Sequence, residues 1–209
     1  MDMHKEIIHQ LNRKIMKTIS TVLALGTSLL FLSCADGDTK YQDAKASDAE
    51  LLAKKVERGE YLVEALGCHD CHSPKVMTQQ GPQLDPERLL SGHPADEQLP
   101  PFDLTTSQGY VLVSMGGTAA KGPCGTSFAG NLTPDGSGIG NWNEQSFLNA
   151  MKKGWYKGIE NGRPLMPLMP WQGYAKMTDD DVLAIFEYLK TMKPVRNIVP
   201  PYAPPVAGQ

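Results

Sequence analysis

The sequence predicts an all-α domain interrupted by one long insertion that carries a small β-hairpin. Three observations predict it. Helical apolar patterns with recognisable ends recur near residues 47–66, 143–154 and 179–192. Between Ser73 and Phe128 that pattern stops, and Pro, Gly and Gln dominate. The 209 residues are 41% apolar, enough for one core, which excludes a disordered chain. The formal net charge of −3 argues against nucleic acid as the main partner, which would need a basic face.

The elements follow in chain order. Lys14 and Lys17 precede an uncharged stretch whose apolar part, Ile19–Leu32, has 14 residues. A membrane span needs about 20. The layout reads as a signal segment, with Met16 as the expected start. It ends Phe31-Leu32-Ser33-Cys34, which resembles a bacterial lipobox. Residues 1–33 are therefore expected to be cleaved, leaving Cys34 to carry lipid on the periplasmic side. Residues 34–46 are small and acidic and read as a flexible tether. Ser47 or Asp48 is expected to cap the first helix, with Leu51, Leu52, Val56, Leu62 and Leu66 as its apolar face. Gly59 within it weakens a helix unless something crosses closely there.

Cys68-His69-Asp70-Cys71-His72 is a C-x-x-C-H motif, the pattern of covalent c-type haem attachment. One helical turn presents two thiols to one porphyrin, and the adjacent imidazole is directed at its iron. A zinc site completed by Cys124 or His93, a redox dithiol and a plain disulfide are the competing readings. One motif means one haem c. Opposite His72, a methionine makes a six-coordinate iron suited to electron transfer. Met151 and Met177 have packing or stapling roles, and Met192 ends the last helix. Met166 and Met169 lie in Arg163-Pro164-Leu165-Met166-Pro167-Leu168-Met169-Pro170-Trp171, where three prolines exclude helix and stiffen a strap. Met169, beside Pro170 and Trp171, is the expected ligand, with Met166 and His93 as alternatives.

The insertion, residues 73–128, is expected to hold a short helix at Pro86–Leu90. A hairpin is expected to pair Tyr110–Ser114 with Thr126–Phe128. Cys124 within it is expected to be a small buried hydrophobe. Asn143 caps the second helix, and Gly154 follows its end. Thr178-Asp179-Asp180-Asp181 opens the third, whose stripe is Val182, Leu183, Ile185, Phe186 and Leu189. The haem-binding domain is thus placed at 47–193. Residues 194–209, with five of the 16 prolines, form an extended tail.

Together these motifs resemble monohaem class I cytochromes c. They are most similar to the haem domains of cytochrome subunits of bacterial alcohol and sugar dehydrogenases. The resemblance rests on Arg58-Gly59-Glu60-Tyr61-Leu62, Gly67-Cys68-x-x-Cys71-His72, Asn131-Leu132-Thr133-Pro134-Asp135, Gly138-Ile139-Gly140, Trp142, Met169-Pro170-Trp171-x-x-Tyr174-x-x-Met177-Thr178-Asp179-Asp180, Tyr188-Leu189 and Pro194-Val195-Arg196. It implies Met169 as axial ligand, with Asn131, Trp171 and Tyr174 around the haem. It also implies that Gly59 admits a close crossing of the last helix near Tyr188 or Phe186. Gly81-Pro82 resembles the family feature in which a proline carbonyl accepts the proximal His N–H, with Pro74 as the alternative. Such dehydrogenase subunits typically carry three haem motifs, whereas this chain has one. The expected role is a lipid-anchored carrier of single electrons, not an enzyme. Its partners are a dehydrogenase, an oxidase or another cytochrome; a dedicated dehydrogenase subunit and a haem-based sensor are the alternatives. Lys152, Lys153 and Lys157 either steer an acidic partner or form a solvated face.

Overall fold

A computed structural model of the chain describes residues 38–101 and 109–205, with side chains from residue 47. The signal segment and Cys34 lie outside the described residues. The elements run α1 (Asp38–Ala65), α2 (Cys68–His72), β1 (Lys75–Thr78), β2 (Gly81–Leu84), β3 (Leu112–Val113), β4 (Ala119–Gly122), β5 (Gly125–Phe128), α3 (Glu144–Lys153), a 3-10 turn (Tyr156–Gly158), α4 (Trp171–Tyr174) and α5 (Asp179–Thr191). The described residues from Lys45 onward make one compact unit.

The helix ends follow from local chemistry. Asn143 accepts a hydrogen bond from Ser146 N, and Gly154 closes α3 with φ of 68°. Thr178 accepts from Asp181 N, and three aspartates fill the first turn of α5. α1 does not begin at Ser47 or Asp48. It starts at Asp38, so part of the expected flexible tether is helical. Ala44, Lys45 and Ala46 are strong helix formers, and one Ser does not stop them. Leu51 and Leu52 are exposed, so the buried face of α1 starts later, at Gly59, Leu62 and Val63.

The core joins Leu62 and Val63 of α1 to Phe147 and Met151 of α3 and to Val182, Ile185, Phe186 and Leu189 of α5. Phe147 and Phe186 stack with centroids 4.9 Å apart. Gly59 sits where α1 meets α5. A Cβ there would lie 2.0 Å from Ala184 O and 2.8 Å from Tyr188 Cβ, so only glycine allows the approach. Arg58 beside it donates to Asp181 at 2.9 Å.

The insertion differs from expectation. Pro86–Leu90 forms turns, not a helix, closed by Arg88 N to Asp85 O and Ser91 N to Arg88 O. The β-structure exceeds one hairpin, so the domain is not purely helical. β1 and β2 pair antiparallel, and β3, β4 and β5 form a second sheet in that order. The expected partners 110–114 and 126–128 are thus separated by β4, whose Ala119-Ala120-Lys121-Gly122 carries no strand pattern of its own. The tail extends this sheet: Thr126 and Ala203 exchange N–H···O bonds of 2.8 and 3.0 Å. Cys124 is exposed in the β4–β5 turn and is not a buried hydrophobe.

Candidate haem site

α2 is one turn long, and its chemistry is set by what surrounds it. Gly67 before it adopts φ of 67°, which turns the chain sharply out of α1. Lys75 donates to the carbonyls of His69 and Asp70 and so satisfies the helix end. His69 is buried. Its Nε2 faces Glu64 at 3.3 Å, which makes Nε2 the N–H and Nδ1 the acceptor from Ser73 Oγ at 2.8 Å. Ser73 Oγ also accepts from Leu90 N at 2.8 Å, tying the motif to the insertion.

Cys68 and Cys71 are unpaired and half-buried. Burial pushes the Cys68 thiol up to about 11, so it is a neutral thiol at pH 7, not a thiolate. His72 Nδ1 lies 2.8 Å from Gly130 O. A carbonyl only accepts, so Nδ1 carries the proton and Nε2 keeps its lone pair. Burial also holds His72 below its ordinary range, so the ring is neutral. Among the described residues no cluster of three His, Cys, Asp or Glu side chains could hold a metal ion. Two thiols beside a neutral imidazole whose Nε2 keeps its lone pair fit a covalently held haem: each S–H can add across one vinyl group, and Nε2 can bind iron.

The carbonyl on His72 comes from neither expected proline. Pro82 is exposed on β2 opposite Met77, and the Pro74 carbonyl accepts from Asp85 N at 2.9 Å. Sequence reasoning missed Gly130 because any residue can supply a carbonyl, and this one lies 58 positions from its donor. Its one signal is adjacency to Asn131-Leu132-Thr133-Pro134.

The strap that carries both methionines is stapled at two ends to one residue. Leu165 N donates to Gly154 O at 2.7 Å, and the Trp171 ring lies against Gly154, where a Cβ would meet Cε2 at 2.4 Å. Ser127 Oγ donates to Pro167 O at 3.1 Å from the insertion side. Met169 packs on the core cluster alongside Cys68, Leu132 and Tyr174, and Met166 is not among those residues. Burial raises the Tyr174 phenol above its ordinary value, and Tyr174 packs against the same core cluster as Cys68. His93 is fully buried, its Nδ1 2.9 Å from Thr118 Oγ1. Asn131 holds a turn: its Oδ1 accepts from Thr133 N and Oγ1, and its Nδ2 donates to Val195 O at 2.9 Å.

The family model described as cytochrome c matches residues 56–193. The chain belongs to the cytochrome c family. Membership implies covalently bound haem c. This cytochrome is 30% identical over 154 residues to the cytochrome c subunit of a quinone alcohol dehydrogenase from Gluconobacter oxydans, covering 73% of this chain and 24% of that one. It is 33% identical over 174 residues to a gluconate 2-dehydrogenase cytochrome c subunit from Pantoea cypripedii, covering 83% and 28%. It is 27% identical over 171 residues to a fructose dehydrogenase cytochrome subunit from Gluconobacter japonicus, covering 81% and 27%. The cytochrome spans about a quarter of the length of these relatives.

Proposed function

We propose that this cytochrome is a non-catalytic, single-haem electron acceptor serving a periplasmic dehydrogenase, exported and held at a membrane by lipid on Cys34. The observation that carries the electron-transfer reading is the C-x-x-C-H turn itself: His72 Nδ1 is held by Gly130 O, which leaves the Nε2 lone pair for iron, while Cys68 and Met169 both pack against the one core cluster. His72 and Met169 would hold the haem iron, and the haem would supply a one-electron couple. The chain's own groups do the rest. Cys68 and Cys71 fix the porphyrin, Gly130 orients His72, and Gly154 with Trp171 holds the strap. Tyr174, on the same core cluster as Cys68, keeps a neutral phenol at the site. The relatives are named as dehydrogenase cytochrome subunits, which favours a dedicated partner over free shuttling between respiratory proteins.

The test is an absorption spectrum of the purified, haem-stained chain. A sulfur-to-iron charge-transfer band in the red is expected, lost in Met169→Ala and kept in Met166→Ala. The reverse pattern sinks the ligand assignment. Ready binding of CO by the reduced wild type transfers the reading to a ligand sensor. Release of the chain from membranes by Cys34→Ser, and co-purification with a dehydrogenase, test the anchor and the partner separately.

A further inference from the structure

Part of the insertion is bonded to His72 and to the segment that holds it. Residues 129–134 belong to no helix or strand, yet Gly130 O has to be held still to orient His72. Residues 90–93 do this. His93 N donates to Ala129 O at 3.0 Å and Leu132 N donates to Leu90 O at 2.8 Å, an antiparallel grip on both sides of Gly130. The same strip takes hold of the ligand residue itself: Gly92 N donates to His72 O at 2.7 Å. Gly92 has φ of 79°, and a Cβ on it would lie 2.6 Å from Ala129 O and 2.6 Å from Gly130 C. Only a hydrogen atom fits.

His93 locks the strip in place. Its ring lies 4.8 Å from Phe128 and its Nδ1 bonds Thr118, both in the insertion. Ala129 N closes the loop on Thr118 O at 2.9 Å. Asn197 from the tail donates to Ser91 O and His93 O at 2.7 and 2.8 Å. His93 Nε2 is buried without a hydrogen-bond partner among the described residues. A buried unpaired nitrogen is costly where an apolar side chain of similar size is not.

We propose that Gly92 and His93 are positioning residues for the proximal side: the insertion, through residues 90–93 and Thr118, clamps Gly130 O onto His72 Nδ1 and so sets the donor strength of His72 toward haem iron. This rests on the haem reading above. An acceptor held on Nδ1–H makes Nε2 a stronger donor, and a stronger donor favours the ferric state. Loosening the clamp therefore raises the reduction potential.

The test is a redox titration of the haem-loaded full chain, with the exchange of the His72 Nδ1 proton followed by NMR. Gly92→Ala is expected to shift the reduction equilibrium about tenfold, which is about 59 mV upward for one electron. It is also expected to speed exchange of that proton. Thr118→Val removes only the bond to His93 and is expected to move both readouts the same way by less. If Gly92→Ala does not load haem, Thr118→Val decides. Thr78→Ala, in the same insertion but on the β1–β2 hairpin, is expected to leave both unchanged. Wild-type potential and exchange in every haem-loaded clamp variant overturn the inference alone. A wild-type chain without covalent haem overturns the site reading and the inference with it.

Discussion

Gly154 serves α3 and the methionine strap at once. It ends the helix in a left-handed conformation, accepts from Leu165 N and seats the Trp171 ring. Gly154→Ala adds a left-handed penalty to a clash with Trp171. It is expected to cost about 3 kcal/mol in guanidinium unfolding and to weaken the red charge-transfer band. Wild-type stability with an intact band removes Gly154 from this role. The C-x-x-C-H motif and the Met strap were legible in sequence as candidates because their signal is local. Two thiols and an imidazole within one turn announce themselves, and a proline-stiffened Met strap nearly so. The contacts of Gly130, Gly92 and Gly154 were not legible, although Gly154 was readable as the end of a helix. Their contribution is an atom every residue has, or the absence of one, and its meaning depends on a partner far along the chain.

At the scale of elements, the α1–α5 crossing concentrates two effects. Gly59→Ala places a Cβ 2.0 Å from Ala184 O and should destabilise the domain by about 3 kcal/mol, read as a lower denaturant midpoint at unchanged slope. Beside it, the Arg58 hydrogen bond holds the Asp181 carboxyl below its ordinary 3.8. The unfolded chain therefore takes up this proton first. The pair's contribution is complete above pH 3.8 and is lost as pH falls through the lower folded value. Unfolding measured across that range should lose this part of its pH slope in Asp181→Asn. The tail, in turn, is tied to β5 by a single antiparallel bridge between Thr126 and Ala203. Deleting residues 200–209 removes the Thr126–Ala203 pair and the Tyr202 hydroxyl bond to Cys124 O. That should cost about 2–3 kcal/mol and speed amide exchange at Thr126. Helix ends were readable because caps are local side-chain chemistry, as at Asn143 and Thr178. β4 was not, because its strand state comes from neighbours on both sides.

For the molecule as a whole, the open matter is how it meets a partner. The formal charge is −3, and Lys152, Lys153 and Lys157 form the basic cluster the sequence picks out. The fold employs all three internally. Lys152 pairs with Asp179 and donates to Met177 O at 3.0 Å, bracing α3 against the start of α5. Lys153 lies 4.5 Å over the Trp155 ring and Lys157 lies 5.6 Å over Tyr156. Charge already matched by a carboxylate steers little, so long-range attraction through Lys152 should be weak. Lys152→Ala is accordingly expected to lower stability by about 0.5–1 kcal/mol. Its effect on electron exchange should be small. Oxidation of the reduced, haem-loaded chain by ferricyanide, an anion, should stay within about twofold of wild type at low salt, where screening is weakest. A cationic cobalt oxidant should show no compensating rise. A large, salt-sensitive loss with ferricyanide alone would instead place Lys152 on the docking face and make the Asp179 pair incidental.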